Sequence, residues 1–126
     1  AANDYMATIL PEYSEANGNM VELIICNNDG MAEGAVSALQ GAGYNTGDGK
    51  TIPVFGVDAT DSAKQLINEG KMTGTIKQDA EGMASTILNL VSSVQGGGEL
   101  MDNTSSFNVD EGVAKIRVPY ATYTGE

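Results

Sequence analysis

Three times along this chain a short strand-like run, apolar in the first two, ends on polar side chains and passes into a helical pattern, and this repeat restricts the fold more than any other feature. Leu23-Ile24-Ile25-Cys26 ends on Asn27, Asn28 and Asp29; Ile52-Pro53-Val54-Phe55-Gly56-Val57 ends on Asp58; residues 72–77 end on Gln78 and Asp79. Short apolar runs of this kind read as strands buried on both faces of a parallel sheet. After the first, Asn28 or Asp29 can cap a helix that turns Met31, Ala35, Val36 and Leu39 inward. After the second, Thr60 can cap a helix carrying Ala63, Leu66 and Ile67, which should end at Gly70. After the third, a long helix over residues 80–94 carries Met83, Ile87, Leu90, Val91 and Val94 and is stopped by Gly96-Gly97-Gly98. Strands alternating with helices at this spacing predict right-handed βαβ units, and hence an α/β fold with a mostly parallel sheet and flanking helices.

The remaining segments punctuate that pattern. Met6, Ile9, Leu10 and Tyr13 recur at helical spacing, but Pro11 should kink or stop the first helix near Leu10. Asn17-Gly18-Asn19 marks a turn, and residues 41–50 hold too many glycines for a regular element. Residues 99–112 are polar and turn-rich, and 113–118 read as a last short strand ended by Pro119.

Composition removes several classes of function. With 126 residues, of which 41% are hydrophobic, the chain can build one domain with a core and is too short for two ordinary ones. A net charge of −11, with only six basic residues scattered along the chain, argues against nucleic acid as a partner. No apolar run approaches the roughly 20 residues of a membrane span, and there is neither a signal segment nor an initiator Met. The chain therefore reads as a processed or cropped piece. Its single cysteine excludes an internal disulfide and reads as a small core residue inside the first strand.

Ligands of open α/β sheets sit beyond the carboxyl ends of the strands, so Asn28, Asp29, Asp58 and Gln78 fall where a ligand would be. The bland alternative is that Asn28 and Asp29 are only helix caps. Catalysis by acyl transfer or hydrolysis wants a nucleophile with a base, and the chain has no histidine. No glycine-rich phosphate loop and no EF-hand spacing occurs. A neutral polyol fits better, because amides donate and accept together while a carboxylate accepts from two neighbouring hydroxyls. Hydrogen bonds to an ionised partner contribute roughly 1.5 to 3 kcal/mol each, enough for recognition without chemistry. The chain is thus read as a binder rather than an enzyme.

Ile25-Cys26-Asn27-Asn28-Asp29-Gly30-Met31-Ala32-Glu33-Gly34-Ala35, Ile52-Pro53-Val54-Phe55-Gly56-Val57-Asp58, Gly74-Thr75-Ile76-Lys77-Gln78-Asp79 and Arg117-Val118-Pro119-Tyr120 resemble the second half of bacterial type I periplasmic sugar-binding proteins. The likeness is greatest to the galactose/glucose-binding proteins of ABC transporters. It implies a lobe like that of the family, flavodoxin-like, with residues 1–78 resembling one lobe and 79–117 a segment of the other. Carried over by position, Asn28 matches a sugar-binding Asn and Asp58 a sugar-binding Asp. Gln78 stands where galactose/glucose binders carry Asn and ribose binders carry Gln. Glu22 matches a calcium-ligating Glu of some members, but the other ligands would lie upstream of residue 1, so a surface role is expected and no cofactor is assigned. A first lobe, the first strands of the second lobe and a ring-stacking Trp precede the matched region in the family, and this chain has no Trp. It therefore reads as a fragment carrying about half of the sugar contacts.

The resemblance implies capture of a monosaccharide, delivery to the membrane permease of an ABC transporter, and a chemotaxis receptor as a further partner. The implied location is periplasmic or extracellular, as a membrane-associated lipoprotein if the source is Gram-positive. Two other readings stay open: the effector-binding domain of a LacI-type regulator, and a carbohydrate-active enzyme using Asp29 and Asp58. Without the missing strands, the sheet and the helix over 80–94 should leave apolar surface uncovered, so a homodimer of the fragment is also expected.

Overall fold

The computed structural model describes residues 1–104, 107–110, 112, 113 and 115–126, and for residue 108 the backbone alone. Residues 105, 106, 111 and 114, which belong to the expected turn-rich stretch and last strand, lie outside the described residues. In chain order the elements are α1 (Ala2–Glu12), a short 3-10 turn (Glu15–Asn17), β1 (Ile24–Ile25), α2 (Asp29–Gly41), β2 (Val54–Val57), α3 (Asp61–Asn68) and β3 (Gly74–Lys77). They are followed by α4 (Ala80–Gln95), β4 (Asn108–Asp110), β5 (Lys115–Arg117) and β6 (Ala121–Tyr123). The chain divides into two units, Ala1–Lys77 with Thr122–Glu126, and Gln78–Ala121.

In the first unit the strands stand in the order β1-β2-β3-β6. The pairs β1–β2 and β2–β3 are parallel, with Ile24 opposite Val54 and Gly56 opposite Thr75. Side chains alternate across a strand, so Ile24, Val54, Gly56 and Thr75 share one face. Against it pack Met6 and Leu10 of α1, Ala32, Ala35, Val36 and Leu39 of α2, and Ala63 and Ile67 of α3. Leu39, Ile52, Val36 and Val54 are buried without remainder.

Burial on both faces, expected from the continuous apolar runs, does not hold for this unit. Ile25 is 76% exposed and Leu23 52%, while Phe55, Val57 and Ile76 on the same face as Ile25 are half-buried. The three helices of the unit all contribute to the core on the Ile24–Val54 side, and an apolar run by itself does not say how many layers cover it. Two smaller differences are local. Pro11 lies inside α1, which continues through Glu12 because only the last turn of the helix must do without its donor. In α2, Ala32 takes the buried position expected of Met31, which is 43% exposed.

The glycine-rich loop after α2 is pinned by Asn45, a buried polar residue that the sequence does not advertise. Its carboxamide donates to Ile52 O at 2.8 Å and Lys71 O at 3.0 Å, and accepts from Ile52 N at 2.8 Å. Asn45 adopts φ 52°, a left-handed conformation that Asn tolerates better than most residues.

The second unit contains α4, capped by Asp79, whose Oδ1 accepts from Gly82 N at 2.9 Å. The strand expected over 113–118 forms as Lys115–Arg117, but it pairs with β4 in an antiparallel hairpin, not with the parallel sheet. The fourth strand of that sheet is β6, which lies beyond Pro119, where the sequence pattern shows no strand. The apolar stripe of α4 is largely uncovered: Ile87, Val91 and Val94 are exposed, while the helix buries Thr86 and Ser93.

Candidate functional site

Because β1, β2 and β3 run parallel, their carboxyl ends lie at one edge of the sheet. Asn28 and Asp58 are both exposed at that edge, on the connections that follow neighbouring strands. Gln78 directly follows β3, at the point where the chain leaves the first unit, and is half-buried.

Asn28 is the cap of α2. Its Oδ1 accepts from Met31 N at 2.9 Å, in extended backbone geometry suited to an N-cap. The cap fixes the carboxamide, and among the described residues its Nδ2 has no hydrogen-bond partner, so the amide is held with its donor available.

Asp29, also expected at the ligand edge, is corrected by the structure. It is the first residue of α2 and 0% exposed, so it offers a ligand no surface. Its Oδ2 accepts from Thr60 N at 2.8 Å and its Oδ1 from the Thr75 hydroxyl at 2.6 Å. A buried carboxylate is tolerable when hydrogen-bonded, and the positive end of a helix dipole adds to that. Gly56 makes room for it: a Cβ there would collide with Asp29 Oδ1 and come within 3.2 Å of Ala32 Cβ. A glycine inside an apolar strand is a sign of such close approach, and it was the available signal that a neighbouring group needed the space.

Asp58 sits in a strained turn. Its φ is 118° and that of Ala59 is 54°, regions that cost non-glycine residues roughly 1 to 3 kcal/mol each. Three consecutive amides offset this: Asp58 N donates to Ile76 O at 2.8 Å, Ala59 N to Thr75 Oγ1 at 3.3 Å, and Thr60 N to Asp29 Oδ2. The turn leaves Ala59 buried and Asp58 exposed. Thr60 then caps α3 through its hydroxyl, accepting from Ala63 N at 3.2 Å. Glu33 on α2 braces the same corner by accepting from Ser62 Oγ at 2.6 Å.

Glu22 is exposed, and among the described residues no group of three or more metal-ligating side chains lies together. Cys26 is buried, and desolvation pushes its thiol pKa up, as expected of a core cysteine.

A family model described as "Periplasmic binding protein domain" matches residues 1–99. The chain is 35% identical over 107 residues to the D-galactose/methyl-galactoside binding periplasmic protein MglB of Haemophilus influenzae, covering 85% of this chain and 30% of that protein. An ABC transporter periplasmic solute binding protein from Actinobacillus succinogenes, with bound D-allose, superposes with a TM-score of 0.71 at 25% identity, over 98% of this chain and 36% of that one. A solute binding protein from Bacillus halodurans with bound myo-inositol gives 0.68 at 28%, over 98% and 35%. The chain thus spans about a third of the length of the relatives it matches. These relatives are binding proteins, not enzymes.

Proposed function

We propose that this chain, which belongs to the family of periplasmic binding protein domains, holds one side of a monosaccharide site in a solute receptor that feeds an ABC transporter from the periplasm or cell exterior. The observation that carries this reading is the pairing of an oriented amide donor, Asn28, with an exposed carboxylate, Asp58, at the carboxyl edge of neighbouring parallel strands. The two complement vicinal hydroxyls, one donating and one accepting. Gln78 is the third contact in this reading, and residues beyond it are a segment of the other lobe. A permease is the partner for delivery, with a chemotaxis receptor as a second. Asp29 is not among the contacts.

Sugars differ among the relatives, so a panel tests the proposal. Calorimetric titration of the protein containing this chain with D-galactose, D-glucose, D-ribose, D-allose and myo-inositol should give saturable binding of at least one, recovered unchanged. Absence of heat across the panel, or consumption of a sugar, would overturn the reading.

A further inference from the structure

We infer that Asp29 and Thr75 are positioning residues that hold the left-handed turn at Asp58 and Ala59, and so set how the Asp58 carboxylate is presented at the ligand edge. This rests on the reading of Asp58 as a sugar contact. The arrangement is a closed relay. Thr75 Oγ1 donates to Asp29 Oδ1 and accepts from Ala59 N; Asp29 Oδ2 accepts from Thr60 N. Two of the three amides that secure the turn therefore end on this buried pair. Both partners are nearly without solvent contact, Asp29 at 0% and Thr75 at 2% exposed.

A role in stability alone explains this poorly. Burying a carboxylate is costly, and an apolar pair of the same shape can serve a core as well. Among the described residues Asp29 joins no ion pair. Its acceptors are spent on Thr60 N, at the start of α3, and on the hydroxyl that in turn receives Ala59 N, the first two amides after the strained residue that carries the exposed carboxylate. Gly56, opposite Thr75 in the sheet, leaves the space that Asp29 occupies. The device converts a conformation that most side chains avoid into a fixed one.

The test compares Thr75→Val, which removes the hydroxyl at nearly constant shape, with Thr75→Ser, which keeps it, and with Asp29→Asn. Amide exchange and the φ-dependent couplings of Asp58 and Ala59 read the turn, the Leu39 amide reads global stability, and D-galactose titration reads the site. In Thr75→Val and Asp29→Asn, the Ala59 and Thr60 amides should exchange about tenfold faster relative to Leu39, and affinity should fall about tenfold. Thr75→Ser should stay within about twofold of the parent. If Asp29→Asn does not fold, the Thr75 pair still decides. Exchange that rises equally at all three amides, or a Ser variant as impaired as Val, overturns the inference. So does a loosened turn with unchanged affinity while Asp58→Ala does weaken binding. Unchanged affinity in Asp58→Ala itself removes Asp58 from the site, and with it the reading beneath this inference.

Discussion

Asn28 caps α2 and, in the proposed site, also donates to the ligand; one substitution separates the two. Its Oδ1 caps α2 through Met31 N at 2.9 Å, while its Nδ2 is the donor of the proposed site. Asn28→Asp keeps a cap of equal quality and exchanges the donor for an acceptor. A negative charge at the helix start is favourable by about 0.3 to 1 kcal/mol, so stability should hold or rise slightly. In the proposed site, by contrast, the hydroxyl that accepted from Nδ2 loses its donor and can serve the new carboxylate only by turning its own proton away from another acceptor, which should weaken binding by about 1 to 3 kcal/mol. That corresponds to roughly 5- to 150-fold in Kd. Asn28→Ala should weaken binding similarly but also cost about 1 kcal/mol of stability through the lost cap. Urea denaturation and calorimetry on both variants of the protein containing this chain give the two quantities separately. An Asn28→Asp protein that binds its sugar as tightly as the parent would refute the assignment of the amide as donor, and a destabilisation equal to that of the Ala variant would refute the capping argument.

Asp58→Ala should weaken sugar binding by about 1.5 to 3 kcal/mol while Asp61→Ala, at an exposed residue paired with Lys64 at 3.6 Å, leaves it unchanged; equal effects by calorimetry would remove Asp58 from the site. Asn45→Ala should destabilise the first unit by about 2 to 4 kcal/mol, since it strips three buried hydrogen bonds from the loop after α2, and an unchanged urea midpoint would contradict that. Glu69 is held below the ordinary carboxylate range by hydrogen bonds from Lys71 and then Gln65. A carboxylate with a depressed folded pKa contributes stability above its ordinary value of 4.5 and loses it as pH falls through the folded pKa, so Glu69→Gln should flatten the acid limb of a Tm-against-pH curve and leave its shape near neutrality unchanged. The exposed Leu23 and Ile25 at the β1 edge, with Ile87, Val91 and Val94 on α4, should drive the isolated chain to associate with a second copy; a monomer mass by light scattering at micromolar concentration would show otherwise.

Local chemistry made the strand ends and the caps legible. An apolar run followed by Asn28 or Thr60 announces where a strand stops and a helix begins, because the cap bond spans only three residues. The alternation of such runs with helical stripes was enough for the parallel α/β class, and it placed Asn28, Asp58 and Gln78 at strand ends. Asp29 looked equally eligible, since it neighbours Asn28 and carries the same kind of group. Its fate depends on Thr60 and Thr75, 31 and 46 residues away. The one-sided burial of the first strands, the return of β6 to the sheet and the pinning of the glycine-rich loop by Asn45 are likewise decided by partners distant in the chain. A sequence states what each stretch can form with its own neighbours; whether a carboxylate meets a ligand or a buried hydroxyl is settled only when distant strands are packed side by side.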